Sequence, residues 1–108
     1  MKYDVVVLGA GAAGLMAAIT SALRNRSVLV IERSNKVGKK ILMSGGGRCN
    51  FTNTDLEFDN FLSKNKHFCK SALSRYTAWD FIDLVKRHRI DFEERKHNQL
   101  FCVHSAKD

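Results

Sequence analysis

The sequence contains no proline and only three cysteines, and each scarcity excludes a class of protein. Without proline, a collagen-like chain and a proline-rich linker are ruled out. Cys49, Cys69 and Cys102 are odd in number, far apart and without a CxxC pair, so neither a disulfide framework nor a zinc knuckle is indicated. A reducing cytoplasm is the simplest setting for such a chain. Its 108 residues allow one small domain, which is too little for a complete two-domain enzyme.

Acidic residues are also few compared with basic ones. Lysine and arginine number 18 against 11 aspartates and glutamates, so the net charge of +7 favours anionic partners such as phosphates or nucleic acid. The uncharged run from Val5 to Leu23 has the length of a signal peptide or a membrane span. Its glycines, and the second apolar run from Val28 to Ile31, favour a strand, helix and strand instead. We therefore expect no membrane partner.

Residues 1–33 have the pattern of a parallel β-α-β unit. The β-branched run from Tyr3 to Leu8 predicts a strand that is buried on both faces. Apolar residues from Leu15 to Leu23 recur with the period of a helix that lies on a sheet. Ser27 to Glu32 predicts the second strand, and the short spacing predicts parallel pairing with a right-handed crossover.

A glycine pattern lies between the first strand and the helix. Gly9 permits the tight turn, Gly11 lets the backbone approach a pyrophosphate, and Gly14 lets the helix pack closely on the strand. The helix N-terminus offers N–H groups to the same diphosphate. Glu32, at the end of the next strand, can accept both hydroxyls of an adenosine ribose and would repel the 2′-phosphate of NADP. The alternatives are an ordinary turn and an ordinary exposed acid.

Residues 34–54 are rich in glycine, lysine and asparagine and predict a loop, with one helical turn around Lys39 to Met43. Three consecutive glycines, Gly45 to Gly47, can present backbone N–H groups to an anion, and Lys39, Lys40 and Arg48 add positive charge. The G-x-x-x-x-G-K-[ST] pattern of a Walker loop is absent, which argues against an ATPase. On composition alone, a flexible connector is the alternative interpretation.

Residues 55–108 predict a helix followed by a β-hairpin. Phe68 to Arg89 carries apolar residues on more than one face, so we expect this helix to be packed between neighbours. Ile90 to Glu94 and Gln99 to Val103 predict the two hairpin strands. Ser105 to Asp108 has the S-x-x-D form of a helix start, and the sequence stops there, which predicts that the chain is truncated.

Three weaker candidates remain. Cys49, beside Arg48, is either a redox thiol of low pKa or an inert packed cysteine. The pairs His67-x-Cys69 and Cys102-x-His104 could together bind a metal, but they lack a CxxC anchor and we predict no metal site. The run from Lys86 to Arg89 predicts a solvated helix end, with nucleic-acid contact as the alternative.

The run from Gly38 to Asn53, together with the Gly9 to Gly14 pattern and Glu32, resembles a known family. It is similar to the aminoacetone oxidase family of FAD-binding enzymes, a group of bacterial NAD(P)/FAD-dependent oxidoreductases. Leu100 to Asp108 resembles a further block of that family, although Cys102 and His104 stand where versions with proline are usual. The resemblance covers nearly the whole chain, and family members are several times longer.

The resemblance implies an α/β fold, the N-terminal part of a Rossmann-like FAD-binding domain, in which a parallel β-α-β unit (1–33) and a cofactor loop (34–54) precede a helix and hairpin (55–108). The implied cofactor is FAD, with NAD(P)H as a candidate electron donor and an unknown small molecule as the substrate, while nucleic acid is not expected as a partner. The fragment alone is expected to be inactive, and no catalytic residue is assigned. The alternative is a small basic module that binds phosphate or nucleic acid. The implied cofactor-binding residues are Gly9, Gly11, Ala12, Ala13, Gly14, Glu32, Arg33, Lys40, Ser44, Gly45, Gly46, Gly47, Arg48, Cys49 and Asn50.

Overall fold

The computed structural model describes all 108 residues, which form two compact units. The N-terminal unit is Met1–Met43 and the C-terminal unit is Ser44–Asp108. The order of elements in the first unit is strand, helix, strand and helix, and their bounds are β1 Val5–Leu8, α1 Ala12–Leu23, β2 Val28–Ile31 and α2 Lys39–Met43. The predicted α/β class and the helical turn at Lys39–Met43 are confirmed.

The two strands of the N-terminal unit pair in parallel. Val5 lies opposite Val28 and Leu8 lies opposite Ile31, as the β-α-β pattern predicts. The prediction that β1 is buried on both faces is wrong, because α1 covers only one face of the sheet. Val6 and Leu8, on the other face, are 52% and 81% exposed.

The C-terminal unit contains an antiparallel sheet of three strands. The strands are β3 Asn50–Asn53, β4 Phe92–Glu94 and β5 Gln99–Cys102, in the order β3-β5-β4. The hairpin of β4 and β5 is confirmed, and a short 3-10 turn joins its strands. The strand β3 was not expected, since this stretch was predicted as loop. Its sequence, NFTN, has one apolar residue, and it is a strand because its backbone pairs with β5.

The helical region of the C-terminal unit is divided in two. A single helix over Phe68 to Arg89 was predicted, but the structure has α3 Lys70–Arg75 and α4 Ala78–Arg87. Thr77 between them is extended, with φ −91° and ψ 169°. The backbone N–H of Thr77 donates to the Asp80 carboxylate at 2.7 Å, and the Asp80 N–H donates to the Thr77 hydroxyl oxygen at 3.3 Å. This capping box starts a new helix, so the prediction of one helix is wrong.

The core of the C-terminal unit lies between α4 and the sheet. Ile82 and Val85 of α4 are buried, as are Leu100 and Cys102 of β5. The expectation of a helix packed between neighbours is wrong, because α4 buries one face.

Aromatic rings extend this packing. The ring centroid of Phe51 on β3 lies 5.8 Å from that of Phe81 on α4 and 5.7 Å from that of Phe92 on β4. Trp79 stays 62% exposed. None of the helices combines the length and the apolar character needed to cross a membrane. The chain ends in a turn in which the Ser105 N–H donates to the Asp108 carboxylate at 3.2 Å.

Candidate cofactor site

The turn between β1 and α1 requires glycine at two positions for different reasons. Gly9 has φ +104°, a conformation that L residues with side chains rarely adopt. At Gly14, a Cβ atom would lie 1.9 Å from the carbonyl oxygen of Gly9 and 3.3 Å from a methyl group of Val7. Gly14 therefore sets how closely α1 approaches β1.

Gly11 is different, because neither its backbone conformation nor its protein surroundings require glycine. Its φ is −83°, and a Cβ atom there would meet no heavy atom within 4 Å. Gly11 caps α1, and the first backbone bond of the helix runs from the Leu15 N–H to the Gly11 carbonyl at 2.9 Å. No side chain caps the N–H groups of the first turn. The open space at Gly11 thus adjoins the positive end of the helix dipole.

Glu32 follows β2 and is held by backbone N–H groups. The Ala10 N–H donates to Oε1 at 2.9 Å, and the Ser34 N–H donates to Oε2 at 2.7 Å. The hydrogen bonds from Ser34, followed by that from Ala10, lower the pKa of Glu32 below its ordinary value of 4.5. Glu32 is therefore a carboxylate at neutral pH, fixed beside the glycine turn.

These groups share one pocket. Its volume is about 440 Å³, and it is lined by Ala10, Gly11, Ala12, Glu32, Ser34, Lys39, Lys40 and Ile41. The pocket combines a helix N-terminus, one carboxylate and two lysines. A ligand that carries both phosphates and sugar hydroxyls matches this set, because the helix end and lysines attract anions and the carboxylate accepts hydroxyl protons. The residues present therefore fit the adenosine diphosphate half of FAD.

The sequence-predicted residues of this unit divide into two groups. Gly11, Ala12, Glu32 and Lys40 line the pocket, whereas Gly9, Ala13, Gly14 and Arg33 do not. The predicted set of cofactor-binding residues omitted four lining residues, one of which, Lys39, was predicted only to add positive charge. Ser34 has a recognisable signal as a small polar residue two positions after the strand-end acid, whereas the backbone role of Ala10 leaves no signal in the sequence.

The other predicted residues, Ser44 to Asn50, belong to the C-terminal unit. Gly45, Gly46 and Gly47 have φ of 57°, 63° and 85°, so three successive residues form a left-handed turn. A Cβ atom at Gly45 would lie 2.5 Å from the backbone nitrogen of Asn50, whereas Gly46 and Gly47 face open space. Gly45 is thus a packing position of this unit.

Two hydrogen bonds attach the glycine turn to the residues that follow β5. The Gly47 carbonyl accepts from the Ala106 N–H at 2.8 Å. The guanidinium of Arg48 donates to the Val103 carbonyl. Arg48 remains exposed, so its charge is still accessible to an anion.

The metal and nucleic-acid candidates carry no built site. No three His, Cys, Asp or Glu side chains come together where they could hold a metal ion. Lys86 to Arg89 are all exposed, as predicted for a solvated helix end. A groove of about 560 Å³ beside them is larger than the pocket at Gly11, but it mixes acids with bases, its lining being Arg75, Tyr76, Asp80, Asp83, Lys86 and Arg87. Volume alone does not make this groove a cofactor site, since it lacks a glycine turn, and the N-terminus of α4 beside it is already capped by Thr77 and Asp80.

Comparison with known proteins gives both a family and relatives. The family model of the HI0933-like protein Rossmann domain matches residues 3–108. The ribosomal RNA dihydrouridine synthases of Escherichia coli and Haemophilus influenzae are 53% and 51% identical, over 98% and 94% of this chain. The 3-dehydro-bile acid delta(4,6)-reductase of Clostridium scindens is 33% identical over 65% of this chain and 18% of its own length. The chain spans about a quarter of the length of the two synthases, 26% and 25%.

Proposed function

The chain belongs to the HI0933-like protein Rossmann domain family, and we propose which reaction the enzyme that contains this domain catalyses. The chain is the FAD-binding portion of a flavin-dependent oxidoreductase, as its membership of this family and its similarity to the bile acid reductase indicate. We propose that the reaction is the reduction of uridine to dihydrouridine in ribosomal RNA. The observation that carries this proposal is 53% identity to a ribosomal RNA dihydrouridine synthase over nearly the whole chain.

The degree of similarity favours this substrate over the other named ones. The bile acid reductase shares the flavin-binding family pattern, but its identity of 33% extends over only 65% of this chain. Both dihydrouridine synthases are more than 50% identical over alignments of 106 and 102 residues, which are long enough to include most of the C-terminal unit. The proposal replaces the expectation that nucleic acid is not a partner, and it agrees with a net charge of +7, which suits a polyanion. It also favours the cytoplasm, where ribosomes are.

In the proposed arrangement, residues of the N-terminal unit hold the ADP half of the cofactor. The Gly11 to Gly14 backbone, through the helix N-terminus, receives the pyrophosphate, and Lys40 adds charge there. Glu32 accepts the ribose hydroxyls through lone pairs not used by Ala10 and Ser34. Gly9 sets the turn.

The loop from Ser44 to Asn50 is proposed to contribute to the remainder of the cofactor site, on the strength of the family resemblance. Bound FAD supplies the two-electron chemistry that the saturation of a uracil double bond requires. NAD(P)H is the proposed electron donor. The chain's own residues supply position and electrostatics, and none is assigned a proton-transfer role.

A chimeric enzyme tests the proposal. This chain would replace the matching segment of the Escherichia coli synthase, in a strain that lacks that enzyme, and dihydrouridine in ribosomal RNA would be measured by mass spectrometry of nucleosides. We expect the modification to be restored. A second chimera, carrying the aligned segment of the Clostridium scindens reductase, and a third, carrying Gly11→Val, should both fail. A first chimera that accumulates with bound flavin but leaves the RNA unmodified would contradict the proposal.

The narrower resemblance to aminoacetone oxidases stays a prediction. None of the three relatives described above carries that activity in its name. The same chimera distinguishes the two activities, because an amine oxidase would release hydrogen peroxide when aminoacetone is added. Peroxide release without dihydrouridine formation would favour the oxidase.

A further inference from the structure

Cys49 and Cys102 lie side by side at the end of the three-stranded sheet, although 53 positions separate them in the sequence. Asn50 of β3 lies opposite Phe101 of β5, and one further step of this antiparallel register brings Cys49 opposite Cys102. The N–H of Cys102 points at this junction, donating to the Arg48 carbonyl at 2.8 Å and to the Cys49 carbonyl at 3.4 Å. The backbones of the two cysteines are therefore in direct contact.

The side chains are neighbours as well: Cys49 is one of the groups that raise the pKa of Cys102, and both cysteines are free thiols. Directly opposite residues of antiparallel strands have Cα atoms about 4.5 to 5.5 Å apart. Disulfides span Cα distances of about 4.4 to 6.8 Å, so a pair that continues this register is within reach of a bond. Cys69, the third cysteine, is buried elsewhere, where its thiol lies 4.0 Å from the Phe58 carbonyl oxygen.

We propose that Cys49 and Cys102 form a reversible disulfide, which makes this pair an oxidation site of the chain. In a reducing compartment the pair rests as two thiols, and a peroxide closes it. One sulfur first takes an oxygen atom from the peroxide to become a sulfenic acid, with release of one water. The second sulfur then displaces that oxygen as another water while the S–S bond forms. The two thiols lose two electrons and two protons, and hydrogen peroxide is reduced to two waters.

The solvent exposure of the two cysteines indicates which sulfur is oxidised first. Cys49 is half-buried and meets the oxidant first, whereas Cys102 is 8% exposed. Burial, followed by the neighbouring Cys49, raises the pKa of Cys102, so Cys102 remains a thiol and is protected from direct oxidation. Cys102 is thus the resolving cysteine, and Cys49 is the cysteine that first reacts.

Formation of the disulfide would constrain the glycine turn, Gly45 to Gly47. Cys49 itself has φ +52°, and its N–H donates to the Ser44 carbonyl at 3.0 Å, so this hydrogen bond closes the segment that contains Gly45 to Gly47. A bond from Cys49 to Cys102 would join that stretch covalently to β5. An effect of this bond on the retention of FAD rests on the proposed function, in which the loop contributes to the FAD site. The disulfide itself does not depend on that function.

Thiol mapping tests the site. The chain is treated with hydrogen peroxide, remaining thiols are blocked with a maleimide, and linked peptides are identified by mass spectrometry. We expect the Cys49–Cys102 peptide to exceed the other two pairings by about tenfold or more, because positioned groups react as if highly concentrated. Cys69→Ser should leave this product unchanged, and Cys49→Ser should abolish it. The chain in urea serves as the control, since without the fold all three pairings should form.

Two results would overturn the proposal. One is a folded chain in which Cys69 enters disulfides as often as Cys49 does. The other is a folded chain in which Cys49 is oxidised to the sulfinic acid while Cys102 still reacts with the maleimide. Because the wild-type chain and Cys69→Ser suffice for these measurements, a failure of Cys49→Ser to fold would not obscure the answer. FAD affinity before and after oxidation is measured separately, so a failure of the proposed function leaves the disulfide result intact.

Discussion

The carbonyl oxygen of Gly9 occupies the place where a side chain of Gly14 would begin, 1.9 Å from the ideal Cβ position. The neighbour is backbone and cannot rotate away, so α1 and β1 meet at a distance that only glycine allows. The contact at Gly14 therefore affects folding, whereas the open space at Gly11 is available to a ligand. The two glycines of one motif can therefore be separated by experiment.

Gly14→Ala should destabilise the chain without any ligand present. The added methyl group must push α1 away from β1, and such overpacking costs about 1 to 3 kcal/mol or more of a total near 5 to 15 kcal/mol. The free energy of unfolding in urea measures the loss. Gly11→Ala is the matched control, with a change close to zero because its Cβ meets nothing within 4 Å. Equal losses in both variants would contradict this assignment.

In the chimeric enzyme, with this chain in place of the matching segment of the Escherichia coli synthase, Gly11→Val should abolish retention of FAD while the protein remains folded. The backbone conformation at Gly11 suits valine, and no heavy atom lies within 4 Å of the Cβ position, so we expect the side chain to collide with a bound pyrophosphate. Flavin absorbance of the purified protein measures retention, and circular dichroism checks the fold. Ala17→Val, on an exposed position of α1, is the control and should keep its flavin. Full flavin content in Gly11→Val would show that the pyrophosphate lies elsewhere.

Glu32→Gln should weaken FAD binding roughly tenfold or more, because a charged acceptor becomes a neutral amide. The amide nitrogen also cannot accept the hydrogen bond from Ala10 or that from Ser34, so one N–H loses its partner. Titration with FAD measures the affinity. Glu57→Gln, an acid remote in sequence from the glycine turn, is the control. An unchanged affinity would mean that the ribose is held by other groups.

The lowered pKa of Glu32 predicts how the stability of the chain changes in acid. Its pKa is lowered in the folded chain, so its contribution to stability is complete above the ordinary value of 4.5 and is lost as the pH falls through the lowered pKa. Folding should therefore show no Glu32-dependent change in neutral solution and should weaken only at lower pH. The carboxyl carbon shift of Glu32 in an NMR titration measures this pKa directly. A midpoint at or above 4.5 would show that the two backbone hydrogen bonds do not persist in solution.

The exposed apolar face of β1 predicts that the isolated chain is not a stable monomer. Val6 and Leu8 are exposed, and two parallel strands alone bury little surface, so we expect self-association or partial unfolding and no NADH oxidation. Light scattering coupled to size exclusion measures the association. Leu8→Lys should reduce it, and Lys2→Ala should not. A monomer that melts cooperatively, retains FAD and oxidises NADH would refute the expectation.

Local sequence patterns predicted the N-terminal unit well and the C-terminal unit partly. The β-α-β unit was predictable because the period changes from strand to helix and back within a few residues. The strand at Asn50–Asn53 was not, because its backbone pairing with β5 depends on residues about fifty positions away. The break at Thr77 had a local signal, the T-x-x-D sequence that ends at Asp80, but the apolar run across it suggested one continuous helix.

For the candidate site, the sequence predicted the chemical role of individual residues better than it predicted which residues lie together. Gly11 and Glu32 were predicted from spacing, and the structure brings both to one pocket. Arg33, next to Glu32 in the sequence, does not line it. The role of Ala10 was unpredictable, because it acts through its backbone N–H, which every residue but proline has.

The hydrogen bonds that fix Glu32 have a consequence for the kinetics and thermodynamics of capture. A glutamate side chain on a surface ordinarily samples many rotamers, and a ligand that selects one of them must overcome the lost entropy. Here the Ala10 and Ser34 N–H groups select the rotamer during folding. A ribose that reaches this carboxylate finds its acceptor already oriented, so association need not wait for the side chain to rearrange.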